Sequence, residues 1–287
     1  MPYYGLSFMK TNPIIAICYD FDGTLAASNI QEYGFIPKLG MSAADFWKEA
    51  KNLANHQKSD EILAYMQLMI KKATSQDFQF TKEVFMEDGA KVKLFKGVKP
   101  WFELIGEVGK SVGIEIEHYI ISSAIREMIE GTSIQSHFKK IYASSFMYDQ
   151  HNAAFWPAHA VNYTTKTQFI FRINKGCLDE WNTDKINDYV PHHERRVPFE
   201  HIIYLGDGQT DVPCMRLVKE QGGHSIAIYE PGNEKKKKAA EQLLAERRVN
   251  FVAQGDYSRS KPLARIVEAI IQKIAAQYVL FKLSKEG

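Results

Sequence analysis

Four carboxylates stand in two short runs that a strand end alone does not call for. Asp20-Phe21-Asp22-Gly23-Thr24-Leu25 follows directly on an apolar, β-branched run, Pro13 to Tyr19. Two acids two residues apart at the end of a buried strand each lose hydration and repel one another. Gly23 permits the tight turn that folds the chain over them. A carboxylate placed this way can attack phosphorus and become an aspartyl-phosphate, which gives Asp20 the part of nucleophile. Asp22 can protonate the leaving oxygen and then deprotonate water. The second run is Gly206-Asp207-Gly208-Gln209-Thr210-Asp211. Its carboxylates are hard oxygen donors of the kind that hold Mg²⁺. A turn and a helix N-cap account for Asp211 but not for Asp207.

Two weaker signals join them. Ser122 closes an apolar run, and a helix is expected directly after it, over 124–131. Its hydroxyl and the N–H groups that follow could hold a phosphate oxygen. Ser123 is the competing choice, and a plain N-cap is the simpler use of either. Lys166 opens a helix expected over 165–175, where a cation opposes the macrodipole and a nearby anion would repair it. Lys175 is the alternative, but it precedes Gly176 at the helix end, where a cation is structurally expected. If Asp20, Asp22, Asp207 and Asp211 converge, each like pair at about 4 Å and an effective dielectric of about 20 costs about 4 kcal/mol. One Mg²⁺ and one lysine would offset that repulsion and polarise a phosphoryl group.

The elements that must position these residues are short buried strands alternating with helices. Strands are expected at 13–19, 118–121, 201–205 and 225–229, with weaker ones at 140–143 and 249–253. Helices are expected at 211–220, 233–248 and 262–276. Such alternation implies a mostly parallel, doubly wound sheet, whose ligands bind outside the carboxyl ends of the strands. The stretch 26–94 breaks the pattern and reads as helical. Ser42 opens a capping-box variant with Asp45, Ser59 precedes an apolar face at Ile62, Met66 and Met69, and Thr81 opens a third helix. A hairpin is expected within 142–163, and 177–198 reads as a polar surface connection.

Charge excludes other classes. Thirty-six basic and 34 acidic side chains leave a net +2, so nothing marks nucleic acid or a membrane as the partner. The basic run Lys235 to Lys238 reads as a solvated helix face, and His192 to Arg196 as a polar loop. Cys18, Cys177 and Cys214 are scattered and odd in number, which fits a reduced compartment. Residues 1–11 carry one lysine and no long apolar run, so no signal peptide is read there and the cytoplasm is expected. Oligomeric state is not legible.

In order and approximate spacing these signals resemble the haloacid dehalogenase superfamily, and within it the phosphoserine phosphatase-like group. Asp20 and Asp22 match its first motif, Ser122 its second, Lys166 its third, and Asp207 with Asp211 its fourth. The resemblance implies an α/β, Rossmann-like, doubly wound core built from 1–25 and 95–287, with a helical cap inserted at 26–94. It implies Mg²⁺ held by the Asp20 side chain, the Asp22 main-chain carbonyl and Asp207, with Asp211 supporting the metal site. Ser122, Ser123 and Lys166 would meet the substrate phosphate. Ser123-Ala124 stand where many relatives carry glycines, and the cap lacks the Glu and Arg pattern that reads phosphoserine. Dehalogenases lack the second acid of the first motif, so Asp22 favours phosphate chemistry. The expected activity is hydrolysis of a small phosphorylated metabolite through an aspartyl-phosphate. A phosphomutase or phosphotransferase on the same scaffold, and a non-catalytic phosphate-binding protein, are the competing readings.

Overall fold

The computed structural model describes residues 12–76 and 78–286, so the leader reading at 1–11 lies outside the described residues. Seven strands form one sheet: β1 (Ile14–Tyr19), β2 (Glu115–Ile125), β3 (Phe138–Tyr148), β4 (Ala154–His159), β5 (Ile202–Gly206), β6 (His224–Tyr229) and β7 (Phe251–Gln254). Their order is β4-β3-β2-β1-β5-β6-β7, with β4 antiparallel to β3 and the other pairs parallel. The central strand shows why its sequence is apolar throughout. Ile15, Ile17 and Tyr19 pack into one layer and Ala16 and Cys18 into the other, all fully buried. The chain leaves β1 towards β2 on one side and returns as β5 on the other. That reversal opens a crevice at the carboxyl ends of β1 and β5.

Between β1 and β2 run α1 (Phe35–Lys38), α2 (Ala43–Gln57), α3 (Glu61–Ser75), α4 (Lys82–Gly89) and α5 (Val98–Ser111). The side chain of Ser42 caps α2 by accepting from Asp45 N, and Thr81 caps α4 by accepting from Val84 N. At α3 the cap is Asp60, one residue beyond Ser59, and it accepts from the N–H groups of Ile62 and Leu63. Phe46, Met66 and Phe85 of the insert belong to the same apolar cluster as Ile15 and Ile17 of β1 and Trp101 of α5. The inserted helices therefore share a core with one face of the sheet.

The helix expected over 124–131 is shorter and later than its sequence suggests. β2 continues through Ile125 and only then gives way to α6 (Arg126–Glu130). The strand wins because Ala124 and Ile125 are buried and Ile125 still pairs with Ser144 after a register shift. α4 packs on α6 so closely that a Cβ at Gly89 would overlap the main chain of Met128. The helix expected from 211 opens at Val212, after a single 3-10 turn over Gln209–Asp211.

The remaining helices are α7 (Lys166–Lys175), α8 (Val212–Glu220), α9 (Glu234–Ala245) and α10 (Pro262–Glu286). Phe169 and Ile173 of α7, Met215 of α8 and Leu243 of α9 cover the face of Ala16 and Cys18. Arg172 and Lys175 donate to carbonyls within the connection 177–198, which fixes Lys175 far from the carboxylates. Among the described residues no helix is long and apolar enough to cross a membrane.

Candidate active site

The crevice gathers the predicted residues from separate strands. Asp20 follows β1, and its N–H donates to Leu205 O of the neighbouring β5 at 2.9 Å. The residue is 5 % exposed, and Oδ1 accepts the N–H of Phe21 at 2.8 Å. Lys166, the first residue of α7, is fully buried. Its Nζ lies 3.2 Å from Asp20 Oδ1 and 2.8 Å from Asp211 Oδ1. Asp211 also accepts the hydroxyl of Tyr204 at 2.8 Å and makes no side-chain cap to α8, so its carboxylate is engaged inside the site. One ammonium thus bridges two carboxylates that come from different strands.

Asp22 is turned differently. Its Oδ1 accepts the N–H of Ile30 at 2.8 Å, which aims the carboxyl towards the inserted helices. Gly23 of the first run has a φ of +74°, and a Cβ there would overlap the Asp207 carboxylate of the second. The two ends of the insert meet beside this turn. Ala26 bridges Leu94, and Phe95 N donates to Leu25 O at 2.8 Å. Ser122 is 1 % exposed and its Oγ accepts from Ala124 N at 3.2 Å. Because the backbone there is still strand, no helix N-terminus backs it. Ser123 has a buried Oγ with no partner among the described residues, and its carbonyl accepts the hydroxyl of Tyr65 from α3 at 2.6 Å.

The sequence pattern of the haloacid dehalogenase-like hydrolases matches residues 17–216, a span that contains every one of these side chains. The chain belongs to that family. A Borreliella burgdorferi protein described as uncharacterized is 30 % identical, over 87 % of this chain and 94 % of its own. A HAD family hydrolase from Salmonella enterica serovar Typhi shares the fold, with a TM-score of 0.57 at 16 % identity over 90 % of this chain and 72 % of that one. A phosphoserine phosphatase solved as a phospho-aspartyl intermediate analogue shares it too, with a TM-score of 0.52 at 14 % identity over 90 % and 99 % of the two chains.

In this haloacid dehalogenase-like hydrolase, a second lysine adds positive charge against the four carboxylates. Lys236 Nζ lies 3.0 Å from Asp207 Oδ2, so part of the run expected to be a solvated face reaches the site. Asn233 caps α9 and puts Lys236 in its first turn, the same placement that made Lys166 noticeable. Applied to each helix that follows a strand, that signal finds both lysines.

The acids answer to their surroundings. Burial pushes the Asp20 carboxyl up to about 7; Asp211 and Asp207 add to the rise, and Lys166 and Ser122 oppose it. Burial and the Asp20 charge raise Asp22 well above the usual carboxylate range. Burial also raises Asp207, against the pull of Lys236. Burial alone would lower Lys166, but Asp20 and Asp211 outweigh it and hold the ammonium charged. Asp20, Asp207 and Asp211 each bring one carboxylate oxygen within 4.8 Å of the others. An all-oxygen, acidic set of this kind suits Mg²⁺. Asp211 is the most engaged of the three, its Oδ1 accepting from Lys166 and Tyr204 and its Oδ2 from the N–H of Gly208, so Asp20 and Asp207 are the better donors.

Proposed function

We propose that the protein is a Mg²⁺-dependent phosphomonoester hydrolase that works through an aspartyl-phosphate on Asp20. The observation that carries this reading is Lys166 held between Asp20 and Asp211. An ammonium buried there opposes the rise that burial imposes on the Asp20 carboxyl, favouring the ionised nucleophile, and faces the charge that gathers on a transferring phosphoryl group. An Asp20 oxygen attacks phosphorus as the ester P–O bond breaks, and Asp22 delivers a proton to the departing oxygen. In the second half, Asp22 takes a proton from water as that water attacks phosphorus and frees Asp20. Ser122 and Ser123 would steady the phosphoryl oxygens. Mg²⁺ would be held by the Asp20 side chain, the Asp22 carbonyl and Asp207, with Asp211 in support, and would supply positive charge to the phosphoryl group.

The substrate in this reading is a small phosphorylated metabolite, because the inserted helices leave only a confined space above Asp22. Release of inorganic phosphate from p-nitrophenyl phosphate, with and without chelator, is the direct test. Equal rates in verified absence of divalent metal would remove the metal from the reading. No phosphate release under any condition would remove the hydrolase.

A further inference from the structure

Between the inserted helices and the sheet lies a cavity of about 300 Å³ that begins at Asp22 and Ser123 and is walled by Asn29, Gln31, Trp47 and Tyr65. Water occupies about 30 Å³ a molecule, so the space suits a short-chain leaving group of roughly ten heavy atoms or fewer. Three donors of the wall are already engaged by the protein. Trp47 Nε1 donates to Glu32 Oε1 at 2.8 Å, and Asn29 Nδ2 donates to the same oxygen at 2.6 Å. The Tyr65 hydroxyl donates to the Ser123 carbonyl at 2.6 Å. A carboxylate only accepts, so Glu32 fixes the Asn29 amide with its nitrogen inward and its oxygen left over.

The acceptors are not engaged in the same way. Gln31, 2 % exposed, has a buried Oε1 with no partner, and the half-buried Asn29 receives no hydrogen bond at Oδ1 from the described residues. Glu61 lines the mouth of the cavity and is in no ion pair among the described residues. Lys51, the one ammonium of the wall, is exposed at the same mouth. The buried Gln31 acceptor without a donor is unfavourable and is satisfied by a ligand that brings one, and the Asn29 oxygen beside it is open to the same ligand.

We infer that the leaving group is rich in hydrogen-bond donors, a polyol or an amino alcohol, and carries no carboxylate, with Asn29 and Gln31 as the residues that read it. This rests on the phosphomonoester hydrolase reading. The test uses two pairs of esters that differ in a carboxylate: glycerol 3-phosphate against 3-phosphoglycerate, and phosphoethanolamine against phosphoserine. The full chain with Mg²⁺ is expected to turn over the carboxylate-free member of each pair at least about tenfold better in kcat/KM. The larger value of the two carboxylate-free esters tells a polyol from an amine. Equal or faster turnover of the carboxylate member in either pair overturns the inference.

Calorimetric titration of the same four esters into Asp20→Asn reads recognition without turnover. Preferred binding of the carboxylate-free members, with no phosphate released by the wild type from any ester, keeps the inference and overturns the hydrolase. Hydrolysis of p-nitrophenyl phosphate with a preference for carboxylate esters does the reverse. Asn29→Leu and Gln31→Leu are each expected to shrink the preference within the pairs. A preference that survives both substitutions in folded protein overturns the assignment of these residues.

Discussion

Lys236 Nζ sits 3.0 Å from Asp207 Oδ2, so the first turn of α9 is tied to the turn after β5 through a residue proposed to hold metal. An ammonium and a divalent cation compete for the same carboxylate. Lys236→Met is therefore expected to lower, by a few-fold, the Mg²⁺ concentration that gives half-maximal activity. A metal titration of phosphate release reads this directly. A rise in that concentration would mean that Lys236 holds Asp207 in place and does not compete for it.

Lys166 and Lys175 share one helix and are expected to behave differently. Lys166→Ala leaves Asp20 and Asp211 facing one another without their shared cation, and kcat is expected to fall by about 10²-fold or more. Lys175→Ala removes donors to the carbonyls of Ile186 and Asp188 only. Its activity should stay within a few-fold of wild type, while limited proteolysis within 177–198 becomes faster. Loss of activity in Lys175→Ala alone would reverse the assignment.

The two acids of the first run are separable by kinetics. Asp20→Asn cannot accept a phosphoryl group and is expected to release no phosphate in a burst or afterwards. Asp22→Asn keeps the nucleophile, and its loss should be about 10²–10⁴-fold. Esters with good leaving groups should suffer least in Asp22→Asn, since they need little protonation. A uniform loss across leaving groups would argue that Asp22 only shapes the turn.

How much of this was legible in the sequence follows from burial. Strands buried on both faces read as unbroken apolar runs, so β1, β5 and the acids that follow them stand out. The end of β2 was misread because Ser122-Ser123-Ala124 suits an N-cap as well as a strand. Only the tertiary fact that Ala124 and Ile125 are buried decides it. Residue by residue, Asp211 is explained as well by a cap as by a site, and only its company in the motif marks it, because local sequence carries no sign of Tyr204 and Lys166 converging on it. Lys236 was hidden for a related reason. Four lysines in a row look alike until the helix is oriented, and only one of them points at Asp207.

Stability should fall in mild acid through a histidine buried behind the site. Trp101 donates to the Tyr19 hydroxyl at 2.8 Å, so the Tyr19 proton points to His118 Nδ1, 2.9 Å away. That arrangement needs a neutral ring. Burial lowers His118 from 6.5 to about 3, and His137 lowers it further than Glu117 raises it. A base depressed in the fold takes up its proton more readily in the unfolded chain. Its contribution is therefore whole above pH 6.5 and shrinks by up to about 1.4 kcal/mol per pH unit as pH falls towards 3. Urea unfolding between pH 7 and 4 should show a steeper decline for wild type than for His118→Gln. Parallel declines would place the acid sensitivity elsewhere.

The last prediction concerns the tie between the inserted helices and Lys166. Asn162 Nδ2 donates to Asp60 Oδ2 at 2.7 Å, while Asn162 Oδ1 accepts the N–H groups of Thr164 and Thr165 just before α7. Asp60 uses its other oxygen to cap α3. One hydrogen bond thus joins the start of α3 to the turn that places Lys166. Asp60→Ala removes both functions and is expected to cost about 1 kcal/mol of stability through the lost cap. Asp60→Asn separates them. Its Oδ1 can still cap α3, but its amide nitrogen now faces the Asn162 nitrogen, and two donors cannot bond. Folding stability should then stay close to wild type while kcat/KM falls by about tenfold, because the helices no longer close in register over the site. Asn162→Asp in the same protein restores an acceptor opposite the new donor and should recover part of the lost rate. Wild-type kinetics in Asp60→Asn would show that this contact holds structure only, with no influence on how Lys166 meets the substrate.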